Sequence, residues 1–308
     1  MTIPVKEVIP REIPANIIPT LNGFSDLLDE FVNFGSNIMD WDKSPATNGA
    51  ENVAPTMLFR HFLDLIDSIS ILSRNSCGDT AKLLVRGALE TFFGIQYLFA
   101  GNTHNKAMAF LYVETLKEIK TLKKMNITTP EGQAFKKILD DENMLSGYSV
   151  NPAINLNNAI QAKENLLLCP EFSVAHDEYQ QLQNKKVKNP AWYRFFNGPS
   201  NIMELAASLK QLTMYELLYR KWSGAVHGSD IFLGKLSTDP EGGVEIVQLR
   251  YIKDVQEVVK YSLSLCINVF QVYIDNRVTD KKPEMKKWYQ TIRDQYLLFN
   301  TRELIKVE

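Results

Sequence analysis

Arg220 and His227 stand near the end of a long apolar helical run, with six residues between them. Arginine is a permanent cation whose planar fork matches phosphate geometry, and histidine titrates near neutral pH. One can grip a phosphate and the other can take or give a proton. No other constellation in the chain offers both.

The run that carries this pair opens at Asn201-Ile-Met-Glu204, which has the form of a capping box, Asn at the cap and Glu three residues later. The pattern predicts one helix from Ile202 to about Val226. At 100° per residue Leu205, Leu209 and Leu212 share a narrow arc, and the same stripe continues through Glu216, Arg220, Ser223 and His227. A face that begins with leucines thus ends in four polar groups. Polar groups on a core-facing stripe are costly unless they are paired or lie in a solvated cleft. His227 also has a plainer use, as a cationic cap against the dipole at a helix C-terminus. His61, His104 and His176 have no comparable company in the sequence.

A second polar pair sits in another apolar run. Arg86 and Glu90 lie four apart within Leu83–Phe93, the spacing of a salt bridge along one helix face. Two readings stand. The pair holds its helix against a neighbour, or Arg86 and Glu90 face Arg220, Ser223 and His227 across a cleft between two helices.

The elements that must position these groups are predicted to be helices almost throughout. Pro4, Pro10, Pro14 and Pro19 mark residues 1–20 as an extended arm, lying on the surface or reaching a second subunit. Helical spacing follows from Leu21 to Trp41, then Met57 to Ser73 behind Pro55, then from a cap at Asp79 to Ala100, then Lys106 to Lys124. The region at about 147–199 is less regular and reads as an insertion, with an aromatic loop at Trp192–Pro199 expected to pack on helices. Asp239-Pro-Glu-Gly-Gly243 separates two short β-prone runs, predicting a hairpin at about 231–250. Ile252 to Asn276 and Met285 to Phe299 return to helix. The expected fold class is all-α: a multi-helix bundle, residues 21–308 as a single helical domain, with a small β-hairpin insertion and an extended N-terminal arm.

Composition narrows the function classes. With a net charge of -2 over 308 residues, no global basic field draws nucleic acid, so any such contact is local. Cys77, Cys169 and Cys266 are far apart in apolar sequence, which predicts buried reduced thiols and excludes a zinc site by ligand spacing. No metal or other cofactor is expected. The N-terminus has no signal pattern, and the most hydrophobic segment carries Arg86 and Glu90, so no membrane association and a cytoplasmic location are expected.

Arg220 and His227, six residues between them at a helix end, resemble the Arg-x(4–6)-His motif of the HEPN superfamily of all-helical proteins. An Arg-x3-Glu helix (Arg86, Glu90) and a segment with Tyr219, Ser223, His227, Gly228 and Ser229 resemble a poorly characterised bacterial branch of it. Many members are metal-independent endoribonucleases of toxin–antitoxin and phage-defence systems, with active sites formed across a homodimer. The resemblance therefore implies a HEPN-like core, an RNA substrate, a homodimer, and an antitoxin or sensor protein as partner. It implies that His227 moves the proton and Arg220 holds the phosphate, with Ser223, Glu216, Arg86, Glu90 and Tyr219 in support. Active members carry a small polar residue after the arginine, where this chain has Lys221. A non-catalytic helical module that binds a nucleotide, RNA or protein through the same cleft stands as the alternative.

Overall fold

Phe24, Leu27, Leu28, Phe31 and Phe34 recur at steps of three and four, and all five are buried on one face of helix α1 (Ile18–Trp41). The structure, a computed structural model, describes residues 9–43, 49–144, 156–224, 235–238 and 242–305. It is an all-α, multi-helix bundle with one two-stranded antiparallel hairpin among the described residues. The chain divides into two compact units: Met1–Asn48, Pro55–Ala100 and Ile202–Glu308 form the first, Gly49–Ala54 and Gly101–Asn201 the second.

In the first unit, α10 (Val255–Arg277) packs against both α3 (Gly78–Phe99) and α1, and α1 also meets α11 (Lys282–Thr301) and the part of α2 (Ala50–Arg74) from Pro55 on. α2 starts one turn before Pro55, so the proline removes a single bond inside the helix and does not open it. Cys77, not Asp79, takes the N-cap position of α3, and Asp79 in the first turn pairs with Lys82. Aromatic rings fill the core: Phe34 stacks on Trp288 at 3.9 Å, Phe24 meets Phe299 edge-on at 4.8 Å, and Phe59 lies 4.3 Å from Tyr273. A buried ion pair ties the end of α1 to α10. Asp42 accepts from Arg277 at 3.0 Å and from the Tyr273 hydroxyl at 2.7 Å.

The hairpin is short, β1 (Leu236–Thr238) pairing with β2 (Val244–Ile246), in the register Leu236 to Ile246 and Thr238 to Val244. The described part of the arm lies beside it: Leu249 N–H donates to the Pro10 carbonyl at 2.9 Å, and Gln248 donates to that of Glu12.

The second unit is larger than the insertion expected at about 147–199, because it takes in α4 (Thr103–Met125) and α5 (Pro130–Asp141). The apolar face of α4 is the reason. Met108, Tyr112, Val113 and Ile119 pack with Ile160 and Leu167 of α6 (Asn157–Leu167), with Ala175 and Leu182 of α7 (Ser173–Asn184), and with Phe195. The apolar faces of these three helices, with Phe172 and Phe195, make a core of their own. The aromatic loop packs into it as expected, Phe195 being 1% exposed and Trp192 edge-on to Phe110. Of the cysteines only Cys266 is buried; Cys77 and Cys169 are half-buried, and all three are free.

Candidate functional site

The run after Asn201 does not form the single helix that its periodicity predicts. α8 (Ile202–Ser208) stops where Lys210 adopts a left-handed backbone, φ 59°, and Gln211 N–H closes onto the Ala206 carbonyl at 2.8 Å. That is a helix end made without glycine. The chain resumes as α9 (Leu212–Met214) and widens at once into a π-helical stretch, Tyr215–Arg220. The interruption and the wider turn shift the rotational phase. The expected stripe is therefore broken: Leu205 is buried, but Leu212 is 44% exposed, and the buried positions further on are Leu218 and Trp222.

Arg220 and Glu216 consequently face solvent. Their side chains pair with each other at 3.2 Å, one turn apart, and the arginine is 72% exposed. Tyr219 and Ser223 turn the other way, onto α3. There Arg86 donates to the Tyr219 hydroxyl at 2.7 Å and to Ser223 at 3.4 Å, and its guanidinium carbon lies 4.1 Å from the centre of the Tyr219 ring. Glu90, one turn along α3, stands 3.7 Å from Arg86. The contact between the two helices that carry Arg86/Glu90 and Tyr219/Ser223 is thus present, while Arg220 lies on the outer side. His227, Gly228 and Ser229 lie outside the described residues.

Electrostatics set what the inner cluster can do. Burial pushes the Tyr219 phenol above its ordinary value; the Arg86 hydrogen bond opposes this and the Glu90 carboxylate reinforces it. The phenol is neutral at physiological pH, so it orients and does not act as a base. Tyr215 stacks on Tyr219 at 5.1 Å. Lys221, the residue after the motif arginine, is bound to Glu257 on α10 at 2.7 Å, and Trp222 packs edge-on to Tyr261. These two contacts anchor the described end of the segment on α10.

His61 and His104 are exposed. His176, which had no company in the sequence, accepts or donates at 2.9 Å with the Tyr112 hydroxyl inside the second unit. Among the described residues no group of three or more His, Cys, Asp or Glu could hold a metal ion, and no helix is long and apolar enough to cross a membrane. A contact that sequence reasoning missed joins Lys82 of α3 to Asp254 before α10, at 2.5 Å and 172 positions apart. No local pattern signals a pair at that separation.

Residues 52–244 match a family of unknown function, DUF5677, and the chain belongs to that family. The matched region contains both helices of the Arg86–Tyr219 contact and the second unit except residues 49–51. No curated protein and no solved structure matches the chain.

Proposed function

We propose that this chain is a HEPN-like, metal-independent endoribonuclease acting as a homodimer, a toxin or anti-phage effector restrained by an antitoxin or sensor protein. The observation that carries the reading is the division of labour around Tyr219. Arg86 fixes the inner face of the motif segment through Tyr219 and Ser223, and leaves Arg220 outward, 72% exposed, where a polyanion can reach it. The resemblance of the Arg220–His227 segment to the superfamily motif supplies the chemistry. The 2′-hydroxyl of RNA attacks the adjacent phosphorus as His227 takes its proton. The P–O5′ bond breaks, a proton passes to O5′, and the products are a 2′,3′-cyclic phosphate and a free 5′-hydroxyl. Arg220 exchanges Glu216 for the phosphate and stabilises the charge of the phosphorane.

One observation favours the second reading, a module that binds RNA or a nucleotide without cutting it. Arg86, Tyr219, Ser223 and Arg220 supply fixed cations and neutral hydroxyls, so none of these four relays a proton near neutral pH. Proton transfer in the proposed cleavage is assigned to His227. The test is total RNA incubated with purified protein in EDTA, beside His227→Ala and Arg220→Ala. Cyclic-phosphate ends from the native chain and none from either variant are expected. Intact RNA, or unchanged cleavage in the variants, overturns the proposal, and retention of intact RNA selects the binding module.

A further inference from the structure

The N-terminal ends of α3 and α10 meet beneath a cleft of about 440 Å³ in the first unit. Gly78 permits the approach, since a Cβ there would stand 3.2 Å from the Val255 backbone nitrogen. Gly78, Asp79 and Thr80 line the cleft from one helix end and Asp254 from the other. First-turn amides have no carbonyl partner within a helix, and the aligned peptide dipoles leave both ends positive. Neither end is closed by a side chain, because Cys77 and Asp254 hold the N-cap positions without a capping hydrogen bond.

Charge and an orphaned hydroxyl add to this. Arg11, Lys235 and Arg250 line the cleft; of its two carboxylates, Asp79 pairs with Lys82 at 2.9 Å and with Lys235 at 3.6 Å, and Asp254 pairs with Lys82 at 2.5 Å. Ser76 is the independent sign of a ligand. It lines the cleft fully buried, with φ at 55°, and its hydroxyl has no partner. The left-handed backbone closes α2, where the Cys77 N–H reaches the Leu72 carbonyl at 2.8 Å; the unpaired buried hydroxyl is the cost that the fold does not explain. The remaining wall is apolar and aromatic, with Ile246, Leu249 and Tyr251.

We propose that this cleft binds a small organic phosphate of nucleoside monophosphate size. The phosphate sits on the first-turn amides of α3 and the Ser76 hydroxyl, under Arg250 and Arg11. The base lies against Tyr251 and Ile246. The cleft contains none of the residues assigned to RNA cleavage, so the inference stands or falls apart from that reading.

Calorimetric titration of the full chain with AMP and CMP, and separately with adenosine and inorganic phosphate, tests it. Saturable binding of a monophosphate at one site is expected, weaker as salt rises, with phosphate and adenosine each far weaker. No heat with either monophosphate, or an affinity equal to that of inorganic phosphate, overturns the proposal. Ser76→Gly removes the hydroxyl and relaxes the backbone, so the fold is kept and its melting temperature does not fall. That variant and Arg250→Ala are each expected to weaken binding about tenfold. Unchanged affinity in both places the ligand elsewhere and refutes the assignment.

Discussion

Arg86 donates to the Tyr219 hydroxyl across 2.7 Å, although 133 positions separate them in the chain. The bond joins the two helices that carry every described residue of the candidate site. It also sets which face of the second helix turns inward, and therefore which side chains are left for a substrate.

Tyr219→Phe separates the hydrogen bond from the ring contact. The ring still lies under the guanidinium, but Arg86, with a side chain only 16% exposed, loses its closest acceptor. A buried donor left unpaired costs roughly 1–3 kcal/mol. Urea unfolding measures it, and a loss below about 0.5 kcal/mol would show that the bond does not hold the two helices together.

Arg220→Ala has the opposite profile. The arginine is largely exposed and its pair with Glu216 is a surface pair, so stability is expected to change by less than about 0.5 kcal/mol. RNA cleavage is expected to fall by about 100-fold or more, as on loss of a group that stabilises transition-state charge. A variant that unfolds early would make Arg220 structural and remove it from the site.

Asp42→Ala leaves Arg277 without its carboxylate in a site where their side chains are 11% and 5% exposed. Breaking a buried pair from one side costs roughly 3–5 kcal/mol. The melting temperature should drop by several degrees or more, and Arg277→Met in the same background should restore part of the loss.

Tyr112 couples the stability of the second unit to alkaline pH. Burial, with Tyr179 adding to it, pushes this phenol from 10.0 up to about 12. Between those values the folded chain keeps a proton that the unfolded chain has released. The stabilisation is complete below pH 10 and is lost as pH rises to about 12. Tyr112→Phe should flatten that part of the stability profile, as read by denaturation at stepped pH. An unchanged slope would assign the loss to other groups.

Much of the bundle was legible because its cause is local. The inward faces of α1 and α10 follow from the spacing of Phe24 to Phe34 and of Val255 to Val269, and all of those side chains are buried. α5 starts from an equally local cause, Thr129-Pro130, where the threonine accepts from the Gly132 N–H at 3.1 Å. The extent of the second unit was not readable. The stripe on α4 says that the helix has a buried face, but not that α6, α7 and Phe195 would cover it.

The site divides in the same way. The sequence by itself determined that Arg86 and Glu90 share a helix face, that Glu216 and Arg220 lie one turn apart on one stripe, and that polar groups cluster in the run after Leu212. Those relations depend on spacings of three and four residues, which any helix imposes. Only the tertiary structure decided which of these groups turns inward. Nothing in Ser208-Leu-Lys-Gln211 is a glycine or proline, yet the helix ends there, and the π-helical stretch that follows rotates everything after it. Each residue added to a helix turns the next side chain by about 100°, so an interruption of a few residues exchanges the inner and outer faces. Tyr219 and Ser223 thereby meet Arg86, and Arg220 is presented to solvent.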